Sequence, residues 1–375
     1  MKITRLKLSS EEKRLLWHLR TNGATPRTEL STVLQVSNSA LTKLSRNLIS
    51  LGLVEEQDAS CDTSGRGRPT VPLAISAAGG FAVGATVHKG VLEIALVDYA
   101  GGIISLTSEA VGAPTPQAFA QLLEQRITEL SVKHKLLGGR FLGVGVGLPG
   151  PPRGRDARHW NIVNELPGWR DVPLRQVLDD TLGLPTMLEN DADVSALAEY
   201  YLNPAVRRAS TVVLLLLGYG IGAGVIEDGR LLKGEFGGFG DIGALYPMDQ
   251  PRPTTMDLLS VLREGGCAIQ SVANFAEATV GYEALIEQWL DRAALQLEPL
   301  VNSAIAWFDP GEIIFSSPLP ASIMARLAAR LNRGQLHWPE HRRPTSIGVS
   351  GLGGSAIALG AALLPIHAST TVSPW

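Results

Sequence analysis

Two stretches of this chain repeat one pattern, and the repetition constrains the fold more than any other feature. Phe81–Thr86, Val91–Val97 and Ile103–Thr107 are short aliphatic runs separated by turns and closed at Asp98-Tyr-Ala-Gly-Gly102. Thr211–Leu217, Gly222–Glu227 and Arg230–Leu232 do the same, turning at Gly218-Tyr-Gly220 and Asp228-Gly229. Such runs bounded by glycine read as β-meanders, and each is followed by helical sequence. Two similar halves predict a duplicated α/β fold with a cleft between lobes, against the competing reading of two meanders alike by coincidence. The apolar run Val212–Leu217 is far shorter than the ~20 residues of a membrane-spanning helix and suits a buried strand.

The segment before Gly80 follows a different pattern. Ser9 with Glu12 forms a capping box, Leu15, Leu16 and Leu19 share one helical face, and Asn22-Gly23 stops the helix. Thr25-Pro26 predicts a second helix with proline at its first position, burying Leu30, Val33 and Leu34. Ser37 is placed to cap a third, in which Leu41, Leu44 and Leu48 face inward and Gly52 is the stop. The other face of that helix presents Asn38, Ser39, Thr42, Lys43, Arg46 and Asn47. Short polar groups near the N-terminus and cations beyond them suit base edges and phosphates, although a solvated bundle face has the same look. Leu53–Glu56 and Val71–Ile75 read as strands joined by a loop in which Arg66 and Arg68 alternate with glycines, a wing able to enter a minor groove. Together these make a winged helix-turn-helix that binds DNA.

Charge agrees with that division. Residues 1–75 carry 11 Lys/Arg against 7 Asp/Glu, and the remainder 22 against 29, within a net charge of −3. The positive end is the nucleic-acid end. Two cysteines, Cys61 and Cys267, support neither a disulfide framework nor a cysteine-rich zinc site. The charged N-terminus is no signal peptide, which predicts a cytoplasmic protein.

The chain resembles the ROK family of repressors and sugar kinases over nearly all of residues 9–365. The likeness lies in Gly145-Val-Gly-Leu-Pro-Gly150, Leu166-Pro-Gly-Trp169, Leu184–Ala192 and the Gly218–Gly224 turn, with weaker matches at Phe308–Ile314 and Ser355–Ala362. It implies a two-lobed actin-like (ribonuclease H-like, hexokinase-type) α/β domain around a sugar cleft, with a winged helix in the repressors. The expected boundaries are 1–76 for the DNA-binding domain, 77–195 for lobe 1 and 196–375 for lobe 2, with the C-terminal helix returning to the lobe interface.

The resemblance also marks what is missing. Phosphoryl transfer needs a charge-holding phosphate grip and magnesium. The family's kinases supply it with Asp-x-Gly-Gly-Thr-Lys, whereas counting back from Asp98 sets Thr86 at the Asp position and His88, Lys89, Gly90 and Val91 over the rest. In the second phosphate turn Tyr219 replaces a small hydroxyl, and Phe315, Ser316 and Ser317 stand at the adenine-proximal glycines. His and Cys zinc ligands are gone, with Ala244 at the histidine and Pro247–Met256 in place of the cysteine loop. No catalytic residue, metal or cofactor is expected.

The sugar side is better kept. Asn190-Asp191 matches the family's Asn-Asp pair, which implies contact with a ligand hydroxyl, and the same two residues also suit a helix cap. Glu165, Asp241 and Asp257 stand at other sugar-contact positions, so the expected effector-binding set is Glu165, Asn190, Asp191, Asp241 and Asp257. Trp169 either lines the cleft or packs in the core. The resulting expectation is a DNA-binding regulator of carbohydrate metabolism, a repressor responding to a sugar-like effector. It would act as a homodimer or higher oligomer on operator DNA, without enzyme activity or membrane association. The alternatives are an active ATP-dependent sugar kinase with a fused DNA-binding domain, and a regulator without small-molecule response.

Overall fold

The computed structural model describes residues 2–3, 6–57, 71–154, 156–163, 166–340, 344–345 and 347–371. The N-terminal module comprises β1 (Lys2–Ile3), α1 (Ser10–Asn22), β2 (Thr25–Pro26), α2 (Arg27–Leu34), α3 (Asn38–Ser50), β3 (Val54–Glu56) and β4 (Pro72–Ile75). Helix α1 starts where the sequence requires. Ser9 Oγ accepts from the Glu12 amide while Glu12 accepts from the Ser9 amide, which satisfies two groups that lack an intrahelical partner. Leu15, Leu16 and Leu19 are buried, and the helix ends at Gly23 with φ 82°. Ser37 caps α3 by accepting from the Ala40 amide, and Leu41, Ser45 and Leu48 point inward.

The second helix departs from expectation. Thr25 and Pro26 are not its cap and first residue but the strand β2, antiparallel to Leu73 and Pro72, and Thr25 Oγ1 donates to the Gly23 carbonyl. Pairing with a strand far along the chain overrides the local cap signal. Val33, expected in the core, is 50% exposed. The three strands form an antiparallel sheet in the order β2-β4-β3. Arg66 and Arg68, between β3 and β4, lie outside the described residues.

After a 3-10 turn at Ala77–Gly79 come β5 (Phe81–His88), β6 (Val91–Asp98), β7 (Ile103–Ala110), α4 (Pro116–Lys133) and β8 (Arg140–Leu148). A hairpin of β9 (Pro152–Arg153) and β10 (His159–Trp160) precedes α5 (Leu174–Leu182), β11 (Thr186–Asn190) and α6 (Asp191–Leu202). The second meander is β12 (Thr211–Leu217), β13 (Ile221–Glu227) and β14 (Arg230–Leu231). It leads to α7 (Thr255–Glu264), α8 (Phe275–Ala278), α9 (Glu283–Phe308), β15 (Glu312–Ser316), α10 (Ala321–Arg333), β16 (Ile347–Val349) and α11 (Ala356–Thr370).

The duplication is visible in strand order. One sheet runs β7-β6-β5-β8 with β11 on β8, the other β14-β13-β12-β15-β16. Counted along the chain, both read third, second, first, fourth, fifth. Within the second sheet β15 pairs parallel with β12 and with β16, so its crossovers carry helices. Strand β1 adds parallel to β8 at the far side of the first sheet.

Two compact units result. One contains Met1–Val146, Glu165–Leu188 and Ala361–Pro374, the other Gly147–Asn164 and Glu189–Gly360. The N-terminal module thus shares a unit with the first meander, and residues of α11 are divided between the two units. In the second unit Trp289, Leu290, Ala293 and Leu297 of α9 belong to one core with Val213, Leu215 and Phe315.

Candidate functional site

The exposed face of α3 is built as the sequence predicts. Asn38, Ser39, Thr42, Lys43, Arg46 and Asn47 are all solvent-exposed, opposite buried Leu41, Ser45 and Leu48. Three are engaged locally: Ser39 Oγ shares a hydrogen bond with Ser37 Oγ at 3.0 Å, Thr42 Oγ1 donates to the Asn38 carbonyl, and the Asn47 amide donates to Glu12 of α1. Lys43 and Arg46 have the reach and charge for phosphate contact.

The second site lies where β11 gives way to α6. Asn190 caps this helix by accepting from the Ala192 amide at 2.9 Å, and Asp191 Oδ1 accepts from the same amide at 2.9 Å. The cap expected of this pair is therefore present, and Asp191 is the first helical residue. Its carboxyl is raised to about 7, chiefly by burial, with the nearby charge of Asp241 adding to the rise against hydrogen bonds that favour the anion. A carboxyl held there both accepts and donates near neutral pH, the behaviour a polyol hydroxyl needs from its partner. Asp241, at the start of a 3-10 turn over Ile242–Leu245, is exposed and close enough to act on Asp191.

Sequence reasoning missed the groups that hold this junction. Glu189 and Asp193, two residues on either side of Asp191, share the ammonium of Lys233, which lies 3.1 Å from Asp193 Oδ2 and is also bridged to Glu189. Two carboxylates against one ammonium leave a net negative charge in a buried place. Burial pushes the Asp193 carboxyl up, while the pull of Asp193 and then Glu189 outweighs desolvation and holds Lys233 above its ordinary value. The alternation Glu189-x-Asp191-x-Asp193 was legible; its partner Lys233, on the far side of the meander, carried no local signal.

Asp257, on α7, accepts from Trp289 Nε1 at 2.7 Å and is bridged to Arg292, so its carboxylate belongs to the α7–α9 packing. Glu165 lies outside the described residues. Trp169 takes the core alternative: it is 1% exposed, packs on Phe119 with ring centroids 5.1 Å apart, and donates to the Pro114 carbonyl.

The two turns that would grip phosphate have other duties. His88 pairs with Val91, leaving Lys89-Gly90 as a two-residue hairpin loop with φ 47° and 75°, the type I′ signature. Thr86 sits in β5 at 2% exposure. In the second turn, a Cβ on Gly224 would meet the Ala192 carbonyl at 2.5 Å and one on Gly222 would meet Ala192 Cβ at 3.0 Å. These glycines let α6 lie close on β13, which accounts for them without a nucleotide. Thr255 and Ser317 hydroxyls both donate to the Leu217 carbonyl, at 3.0 and 2.8 Å, closing the end of β12. Among the described residues, no three His, Cys, Asp or Glu side chains are grouped to hold a metal ion. No described helix is long and apolar enough to cross a membrane.

The twice-repeated strand order is that of an actin-like α/β fold, which solved structures of ROK family proteins share. Residues 83–267 match the sequence profile of the ROK family. A solved structure described as a ROK family transcriptional regulator, homolog of the E. coli MLC protein, superposes with a TM-score of 0.70 at 20% identity, covering 96% of each chain. Among sequence relatives, the uncharacterized protein y4fQ of Sinorhizobium fredii is 28% identical over 96% of this chain and 91% of its own length. The DNA-binding transcriptional repressor Mlc of Escherichia coli is 25% identical over 59% of this chain, and a glucokinase of Halalkalibacterium halodurans 32% identical over 43%. The chain spans about half of each of these last two, 54% and 48%.

Proposed function

We propose that this chain is a DNA-binding transcription regulator of the ROK family, a repressor in carbohydrate metabolism whose effector is a sugar-like molecule held at Asn190, Asp191 and Asp241. The observation that carries the reading is the N-terminal module. Three helices and the β2-β4-β3 sheet have the composition and order of a winged helix-turn-helix, with the polar face of α3 outward. Lys43 and Arg46 contact phosphate, Asn38, Ser39 and Thr42 approach base edges, and Arg66 and Arg68 enter the minor groove. A homodimer presents two such modules to the half-sites of an operator.

The α/β domain supports binding without phosphorylation. Thr86 offers no carboxylate for magnesium, and the Lys89-Gly90 hairpin is too tight to cradle a triphosphate. One observation favours a sugar kinase fused to a DNA-binding domain: Asp191, held near 7, is suited to taking a hydroxyl proton.

Selection of duplexes from a random library by the full chain, alongside an ATP-coupled assay with a panel of monosaccharides, separates the two. The regulator enriches a duplex with two related half-sites and turns over no ATP. Sugar-dependent ATP consumption abolished by Asp191→Asn would establish the kinase instead.

A further inference from the structure

Three parts of the first unit converge on Tyr99 in the β6–β7 turn. Tyr99 is 0% exposed, and Arg20 of α1, itself 5% exposed, donates from Nη2 to its main-chain carbonyl at 2.9 Å. The same guanidinium lies over the Tyr99 ring, 5.0 Å from the centroid. Against the ring rests Gly79, where a Cβ would come within 2.5 Å of Cδ1 and 2.8 Å of Cγ. Gly79 is the last residue of the 3-10 turn leading from β4 to β5, and its carbonyl accepts from Arg140 at 2.8 Å. The phenol oxygen approaches Ser369 Oγ of α11 at 3.5 Å.

Two further contacts follow the same line. The Trp17 ring meets the buried His367 ring of α11 edge-on, centroids 5.8 Å apart, and Lys13 Nζ donates to the Thr371 carbonyl at 3.0 Å. Lys13, Trp17 and Arg20 are spaced i, i+4, i+7, so one stripe of α1 meets Tyr99 and the end of the C-terminal helix. Leu15 and Leu19, on the other side of the helix, are buried as well.

We propose that Tyr99 is a docking node that fixes the DNA-reading module on the first α/β unit through Arg20, so that the module and this unit move as one body. Docking itself does not depend on DNA binding; its consequence for operator recognition rests on the function proposed above.

Amide hydrogen exchange on the full-length chain tests the node. Arg20→Gln and Tyr99→Leu should each raise exchange in residues 10–34 and 38–50 tenfold or more while β12 and β13 stay protected. Tyr99→Phe, which keeps ring and carbonyl, should stay within twofold of the parent. Exchange within twofold of the parent in both Arg20→Gln and Tyr99→Leu would overturn the proposal, as would Tyr99→Phe matching Tyr99→Leu. If Tyr99→Leu also exposes β12 and β13, Gly79→Ala, which drives a methyl into the ring, takes its place with the same expectation. With a duplex selected by the parent chain, Arg20→Gln should keep affinity for one half-site and lose at least fivefold of the preference for the parent spacing of two. Failure of the parent to select any duplex removes the functional reading and leaves the exchange result to decide the docking.

Discussion

The side-chain amide of Asn47, on the outward face of α3, donates to Glu12, the residue that closes the capping box of α1. One carboxylate thus starts the first helix and ties the third to it. Glu12→Ala removes both bonds and should destabilise the N-terminal module by about 1–2 kcal/mol, read as a lower thermal midpoint for its far-UV signal. Glu12→Gln, which can still accept from Asn47, should recover a large part of the loss.

That tether also ranks the α3 face. Lys43→Ala and Arg46→Ala should each weaken binding to a selected duplex and reduce the slope of log affinity against log salt by about 1. Asn47→Ala should lower stability more than affinity. Equal salt slopes in the parent and both cation variants would exclude α3 as the phosphate-contacting helix.

Asp191 makes stability depend on pH in the direction opposite to an ordinary ion-paired carboxylate. Its carboxyl is raised to about 7 from an unfolded value of 3.8, so between these limits the folded state binds the extra proton and stability declines as pH rises. Partial exposure discounts the penalty to about 1–2 kcal/mol at alkaline pH. Asp191→Asn should therefore raise the unfolding midpoint relative to the parent at pH 8.5 and have little effect at pH 4. A constant difference across that range would show that Asp191 does not titrate as described.

Lys233 is the cation that makes Glu189 and Asp193 tolerable together. Lys233→Met leaves two buried carboxylates without a counter-charge and should cost about 3–5 kcal/mol by urea unfolding at pH 8. The loss should shrink at pH 5, where protonation relieves the repulsion. Adding Asp193→Asn should restore part of the stability, because one negative charge leaves with the ammonium.

Asp257 tests the border between ligand site and scaffold. Its bonds to Trp289 and Arg292 predict that Asp257→Ala lowers stability by about 1–3 kcal/mol, detected in chemical unfolding. Calorimetric affinity for any monosaccharide or polyol that binds the parent should be unchanged. A selective loss of ligand affinity with normal stability would return Asp257 to the effector site.

Local rules set much of this molecule. The Ser9–Glu12 box, the Ser37 cap, the outward face of α3 and the two meanders depend on neighbours within a few residues, and the sequence displays those neighbours directly. The repeated meander likewise announced the duplication that the strand orders display. What the sequence withheld were choices among distant partners. Thr25 joined a strand instead of capping a helix because Leu73 lies beside it, and Asp257 bonds α9 because Trp289 and Arg292 reach it. Asp191 acquired its proton affinity from burial and from Asp241, and Lys233 found Glu189 and Asp193 only when β11, α6 and the end of the second meander were brought together. Hydrogen-bond periodicity and capping act over one turn of chain, whereas desolvation and charge pairing depend on packing in three dimensions, and only tertiary structure sets that packing.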